Sequence, residues 1–250
     1  MEIHAHPHTE RKKWTHYLWE FLMLFLAVFC GFLAENFREH QVEHKREKVL
    51  MKSMMKDLQT DITNFSGMVR GITNMNSHID TIVLLLSNFS ELNKNAGEIY
   101  QQEVWINLYY KFIYTDRTIE QLKNSGNFRL IRNTSVSDAI IDYDGYVRNY
   151  VIDMQNEYVL EKSKKVGDFG TGIFKSSVFK NWMKGGFKNN TIQLPAEPYF
   201  LITDTKQLDT YINLLNKYSV SNYWFIQNTQ LAIKKAQTLD SLIKKEYRIN

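Results

Sequence analysis

The sequence contains very little cysteine and proline, and it has no excess of charge of one sign. Its 250 residues include 1 cysteine and 3 prolines. The single cysteine, Cys30, excludes a scaffold held by intramolecular disulfides. The scarcity of proline leaves long uninterrupted stretches and favours helices. The 31 basic and 27 acidic residues alternate and leave a net charge of only +4. We therefore expect no nucleic acid partner.

One long apolar segment lies near the amino terminus. Residues 21–34 are apolar without interruption. The aromatic residues that flank this run, of the types found at membrane interfaces, are Trp14, Tyr17, Trp19 and Phe37. A helix over residues 14–37 is long enough to cross a hydrocarbon layer of about 30 Å. We predict one transmembrane helix there, after a polar tail at residues 1–13. A signal peptide and a buried core helix are the alternatives.

Three residues of the predicted span indicate where it contacts its surroundings. Glu20 lies about one turn inside one end of the helix. Its carboxylate either reaches water at the interface or contacts a second membrane protein or another copy of the chain. Gly31 and Ala34 are three residues apart on one face and allow close approach of another helix. Glu20, Gly31 and Ala34 are therefore the candidate membrane or partner contacts.

The segment after the span predicts a stalk and then a helical bundle. Residues 38–50 are charged on every helical face, which is typical of a solvated stalk. From residue 51 apolar residues recur in heptads, with steps of four and three residues. These positions are Met51, Met55, Leu58, Ile62, Phe65, Val69, Ile72, Asn76, Ile79, Val83 and Leu86. Gly67 and Gly71 lie in the middle, where we expect a kink or a break. We predict that residues 51–250 form an antiparallel helical bundle, and that the whole chain is all-α.

Further helices are predicted along the rest of the chain. A second helix begins near Glu98 and is crowded with apolar residues as far as Tyr114. Its aromatic part favours either a packing face or a ligand pocket. A short helix ends near Gly126, and Ser135 with Asp138 resembles a capping box that opens the next one. Another short helix is expected near residues 174–183. Two more follow, one starting at Asp204 and Gln207 and the last spanning residues 220–247.

Three short motifs lie in the first 150 residues. They are Glu20 before the apolar run, Asn36-Phe37-Arg38-Glu39 after it, and Leu122-Lys123-Asn124-Ser125-Gly126-Asn127-Phe128-Arg129-Leu130-Ile131-Arg132-Asn133 in mid-chain. Together they resemble an uncharacterised family of bacterial single-pass membrane proteins, a domain of unknown function. The sequence departs from that family at Glu35 and Phe37, where the family prefers Asn and Trp. The resemblance implies an anchor, an outward-facing body and a helical fold, and it implies no activity. The turn residues that it singles out are Ser125, Gly126, Asn127, Leu130, Ile131 and Asn133.

Basic residues on both sides of the span predict its orientation. The cluster before the span is Arg11, Lys12 and Lys13, and the residues after it are Arg38, Lys45, Arg46 and Lys48. Because the first cluster is compact and directly adjacent, the positive-inside rule favours a cytoplasmic amino terminus. With the resemblance, this predicts a protein of the bacterial cytoplasmic (inner) membrane. Its carboxy-terminal domain would then lie outside the cytoplasm.

One motif has the spacing of a metal site. His40, Glu43 and His44 match the H-x-x-E-H pattern of inverted zinc peptidases, and Glu120 lies where a third ligand is placed. The motif falls in the charged stalk, and a peptidase requires a shaped, dry cavity. We therefore expect no metal, no cofactor and no enzymatic activity.

Three functions remain as hypotheses. The first is a membrane-anchored structural or interaction protein, whose helical body docks a partner or assembles copies of itself. The second is a ligand-sensing bundle that acts through a partner membrane protein. The third, the zinc peptidase, depends on the stalk motif alone.

Overall fold

The computed structural model describes residues 14–108, 110–184 and 192–249. It is all-α in these residues, which confirms the predicted fold class. The α-helices described are α1 (Trp14–Ser87), α2 (Ala96–Ile106), α3 (Arg117–Asn124), α4 (Thr134–Tyr146), α5 (Leu160–Gly170), α6 (Ser176–Lys184) and α7 (Thr205–Tyr247). The chain divides into two compact units, Met1–Leu50 and Met51–Asn250. The predicted tail at residues 1–13 lies outside the described residues.

The first unit contains the apolar part of α1. An 18-residue window there is long and apolar enough to cross a membrane, and none of it is buried. Phe21, Phe25 and Phe29 stack on one another, with ring centroids 6.3 and 5.9 Å apart. The predicted stalk at residues 38–50 is also helical. By length and composition, α1 therefore supplies one candidate membrane span among the described residues.

In the second unit, α1 buries a stripe of side chains with alternating steps of three and four residues. The stripe consists of Met51, Met54, Leu58, Asp61, Phe65, Met68, Ile72, Met75, Ile79, Ile82 and Leu86. Every seventh position from Met51 was predicted correctly. The intermediate positions Met55, Ile62, Val69 and Val83 were wrong, because they are only half-buried. The aspartate at position 61 interrupts the apolar pattern and conceals the true stripe.

Two side-chain pairs show the direction of α7 relative to α1. Gln59 donates to Asp240 over 3.1 Å, and Asn222 donates to Asn76 over 2.9 Å. Residue numbers rise along α1 as they fall along α7, so the two helices are antiparallel. Asn76, predicted at a heptad position, is buried in this pair. A buried asparagine pair favours one register because any shift leaves both amides without partners.

The third long element runs from α4 to α5. Two π-helical turns, Val147–Ile152 and Gln155–Val159, join the two helices. Tyr146 donates to Asn228 over 2.8 Å, and the Phe169 ring stacks on the Tyr211 ring. These contacts make the element antiparallel to α7. The core of the unit therefore lies among α1, α4 to α5, and α7.

A non-helical strap, residues 110–116, crosses this core. The prediction of one helix from Glu98 to Tyr114 was therefore wrong after α2. Side chains replace the missing helical hydrogen bonds of the strap. Asp61 accepts from the Thr115 amide at 2.8 Å, and Gln155 both accepts from the Phe112 amide and donates to the Tyr110 carbonyl. Because these backbone groups are bonded to side chains, the strap holds Phe112 in the core without forming a helix.

The glycines of α1 do not interrupt it. The break expected as one alternative at Gly67 and Gly71 was wrong, because α1 is helical through both residues, and the other alternative, a kink, stays a prediction. A Cβ atom on Gly71 would lie 2.6 Å from Cε1 of Tyr110, which belongs to the strap. A Cβ atom on Gly67 would have ordinary space, because the nearest atom, on the side chain of Arg70, would lie 3.9 Å away. Gly71 is thus explained by the close approach of the strap.

Gly71→Ala is expected to be less stable than Gly67→Ala by about 1–3 kcal/mol. Both changes gain the same helix propensity, about 1 kcal/mol, but only the first pushes against the Tyr110 ring. The measurement is urea unfolding of the detergent-solubilised full chain, with Gly67→Ala as the matched control. Equal stability of the two variants would show that the strap yields freely.

The caps decide where the later helices begin. Asp204 accepts from the Gln207 amide at 3.0 Å, which confirms the predicted start. The two helices expected after it form the single helix α7. The short helix expected near residues 174–183 is α6. The capping box at Ser135 and Asp138 was wrong, since Asn133 caps α4 by accepting from the Val136 amide.

Candidate functional site

A cavity of about 360 Å³ lies between α2, the end of α5 and α6. Its walls are mostly apolar and aromatic. The lining residues are Glu103, Val104, Asn107, Leu108, Gly167, Gly170, Thr171, Phe174, Ser176, Phe179, Trp182 and Met183. Glu103 is the charged member of this set, and we call the space the Glu103 cavity. Ligand sites typically have this composition, with apolar walls and a few polar groups that fix the orientation of the ligand.

Glu103 is buried, and two neutral groups hold its carboxylate. Tyr211 of α7 donates to Oε2 over 2.7 Å, and Asn107 donates to Oε1 over 2.8 Å. Among the described residues, no lysine, arginine or histidine forms a salt bridge with it. Burial raises the pKa of Glu103 to about 7, against the lowering effect of these two hydrogen bonds. A buried carboxylate without a cation beside it is unusual, because charge is costly to remove from water.

The aromatic wall of the cavity belongs to a larger cluster around Tyr100. Its ring stacks on Phe200, with centroids 5.6 Å apart, and meets Phe174 edge to face at 5.3 Å. The Tyr100 hydroxyl accepts from the Lys175 amide and donates to the Tyr199 carbonyl, each over 2.8 Å. This one side chain therefore ties α2 to the segments on both sides of α6, and it places Phe174 in the cavity wall.

Glu103 was not among the residues predicted from the sequence, although a signal was present. Ile99, Tyr100 and Ile106 share the buried face of α2 with it. An acidic residue three or four positions from such residues lies on an apolar helical face. The aromatic stretch was predicted as either packing or a pocket lining. Trp105 stacks on His78, whereas Val104 and Leu108 line the cavity, so the stretch does both.

A second cluster of charged groups surrounds Asp144 on α4. Lys123 donates to it over 2.5 Å, Arg148 over 2.9 Å and Tyr114 over 2.7 Å. Burial alone would raise the pKa of Asp144, but the hydrogen bonds from Lys123 and Tyr114 outweigh burial and hold it below its usual value. Arg148 also pairs with Glu120 and Asp116. Each of these acids pairs with a basic side chain, so the cluster joins α3 to α4 and is explained by its structural role.

The turn singled out by the family resemblance forms the corner between α3 and α4. Ser125 caps the end of α3, and Gly126 has a φ of 62°, a left-handed value that favours glycine. Asn127, Leu130 and Ile131 are buried. Asn133 caps α4 and also donates to Glu246 of α7 over 2.8 Å. The residues of the motif thus have structural positions, and none of them lines the Glu103 cavity.

The residues predicted to contact a partner in the membrane lie on the exposed part of α1. Glu20 accepts from His16 across one helical turn, with Nε2 and Oε1 3.0 Å apart. A Cβ on Gly31 would meet nothing within 4 Å. Ala34 is exposed as well. The helix face at Gly31 and Ala34 is therefore open to another helix.

The residues of the zinc motif lie on the stalk. His40 and His44 are both exposed, and Nδ1 of His40 lies 3.8 Å from Glu43. In the part of the chain that is described, no group of three or more His, Cys, Asp and Glu side chains is placed to hold a metal ion. The described residues therefore do not bring a third ligand to this motif, which a peptidase site needs.

The chain was compared with protein families, curated proteins and solved structures. No family model, no curated protein and no solved structure matches the chain. The resemblance to the uncharacterised membrane-protein family stays a prediction.

Proposed function

We propose that the chain is a membrane-anchored ligand-binding protein, which senses a small molecule in the Glu103 cavity. The observation that carries the proposal is a buried carboxylate, held by two neutral donors, that lines an apolar cavity of about 360 Å³. Binding sites in proteins begin at about 300 Å³. Retaining a buried charge lowers stability, and such a cost is characteristic of functional residues.

The anchor in this proposal is the apolar part of α1. An exposed stretch of Phe, Leu and Trp side chains is costly in water and favourable in lipid. We place the amino terminus in the cytoplasm and the helical body outside the cytoplasmic membrane of a bacterium. The sensed ligand is then extracytoplasmic, and the signal passes through a partner span that contacts Glu20, Gly31 and Ala34.

A second candidate is the structural or interaction protein. A groove of about 610 Å³ lies on the surface between α7 and the segment from Met154 to Lys162. Trp224 and Tyr158 line it and are 62% and 57% exposed. Both residue types are frequent among the residues that dominate protein interfaces. The charged residues of the groove are Lys162 and Lys217, so its partner would be a protein segment that carries acidic and apolar side chains.

A blocking substitution separates the two candidates. Thr171 is an exposed residue of the cavity lining, so Thr171→Trp closes the cavity and is expected to abolish ligand-induced thermal shifts. Trp224→Ala changes only the groove and serves as the control, with shifts like those of wild type. The full chain is taken from the membrane pellet into lipid nanodiscs and screened against small molecules.

A partner protein that copurifies with wild type but not with Trp224→Ala, without any ligand, would favour the second candidate. Recovery of uncleaved chain in the supernatant without detergent would refute the anchor.

A further inference from the structure

The charge of the Glu103 site indicates what it binds. A carboxylate has about four lone-pair positions for hydrogen bonds. Asn107 and Tyr211 occupy two of them, one on each oxygen. Gly170 also lines the cavity, and a Cβ atom there would lie 3.3 Å from Oε1, so the carboxylate lies within reach of a group inside the cavity. A ligand that supplied both a donor and a positive charge would complete the hydrogen bonds and neutralise the buried charge.

The walls of the cavity favour the same charge. Phe174, Phe179 and Trp182 line it together with the apolar Val104, Leu108 and Met183. Aromatic rings attract cations through their quadrupoles, most strongly where water is excluded. Apolar side chains hold a hydrocarbon body. An anionic ligand would instead meet a carboxylate, and none of the described lining residues is basic to offset the repulsion.

We infer that the Glu103 cavity binds a small organic ammonium, a protonated primary or secondary amine with an apolar or aromatic body. Its N–H groups donate to the Glu103 carboxylate, and its body packs against the aromatic wall. The inference rests on the proposed function and adds the chemical class of its ligand. The size of the cavity suits a compact amine.

The test uses three compounds of similar shape and different charge: 2-phenylethylammonium, 2-phenylethanol and 3-phenylpropionate. Calorimetric titration at pH 8 into the full chain in zwitterionic nanodiscs, with empty nanodiscs subtracted, measures binding. We expect the ammonium to bind wild type at least tenfold more tightly than the alcohol, and the carboxylate to bind most weakly. Glu103→Gln is expected to weaken ammonium binding at least tenfold, to the level of the alcohol.

Glu98→Gln is the matched control, because Glu98 lies on the same helix but is exposed. It is expected to bind the ammonium like wild type, and circular dichroism checks that both variants are folded. Equal ammonium binding by wild type and Glu103→Gln would overturn the inference. Binding of the neutral alcohol that Thr171→Trp abolishes and Glu103→Gln leaves intact would overturn the ammonium class but retain the proposed function. Binding of none of the three compounds, nor of any other small molecule in the screen, would overturn both.

Discussion

Asp57→Ala is expected to lower the free energy of unfolding by about 2–4 kcal/mol. Asp57 is buried on α1 and accepts from the Thr118 amide over 3.0 Å, from the Thr118 hydroxyl and from Arg117. The Thr118 amide belongs to the first turn of α3, whose own N-cap residue, Asp116, makes no side-chain cap hydrogen bond. Asp57 therefore caps α3 from another helix. Alanine would leave a buried amide without an acceptor and remove the negative charge from this helix end.

Urea unfolding of the detergent-solubilised full chain measures this loss. Asp80→Ala is the control, because Asp80 is an exposed aspartate of the same helix and its removal is expected to change stability by less than about 0.5 kcal/mol. Hydrogen exchange adds a local test: peptides that cover residues 110–118 should exchange faster in Asp57→Ala under native conditions. Unchanged exchange there would show that the strap and α3 are held by other contacts.

The helical class and the candidate span could be predicted because each depends on local pattern. An uninterrupted apolar run is visible in residues 21–34, and the period of α1 persists over ten turns. The strap could not be predicted in this way. Its apolar residues, such as Phe112, favour a helix or a strand equally. The hydrogen bonds that hold its backbone come from Asp61 and Gln155, 54 and 43 residues away in sequence.

Buried acids explain why the true stripe of α1 and the Glu103 site were missed. Asp57, Asp61 and Glu103 are hidden by partners that lie far away along the chain, so hydropathy alone assigns them to the surface. Burial raises the pKa of Asp61 to about 6, against hydrogen bonds from Tyr143 and Thr115. Glu103 lines the cavity, whereas Asp57 and Asp61 are not among its lining residues. Only the folded arrangement distinguishes an acid that holds the fold together from one that faces a ligand.

Glu103→Gln is expected to remove about 2–3 kcal/mol of the pH dependence of folding stability between pH 5 and pH 8. The pKa of Glu103 is raised from 4.5 to about 7 on folding, chiefly by burial. Between these values the folded state binds more protons than the unfolded state, so wild type loses stability as the pH rises toward 7. Glutamine has no proton to lose. The free energy of unfolding of the variant minus that of wild type should therefore be larger at pH 8 than at pH 5.

Urea unfolding at the two pH values measures this double difference, and Glu98→Gln, an exposed acid of the same helix, should show almost none. A pH dependence identical in Glu103→Gln and wild type would mean that Glu103 is not desolvated in the folded chain. Stability and ammonium binding, measured together, separate a structural acid from a binding one. Removing Asp57 weakens the fold, whereas removing the charge of Glu103 abolishes a loss of stability between pH 5 and pH 8 and weakens ammonium binding. A side chain whose charge lowers stability but improves binding is retained for its ligand.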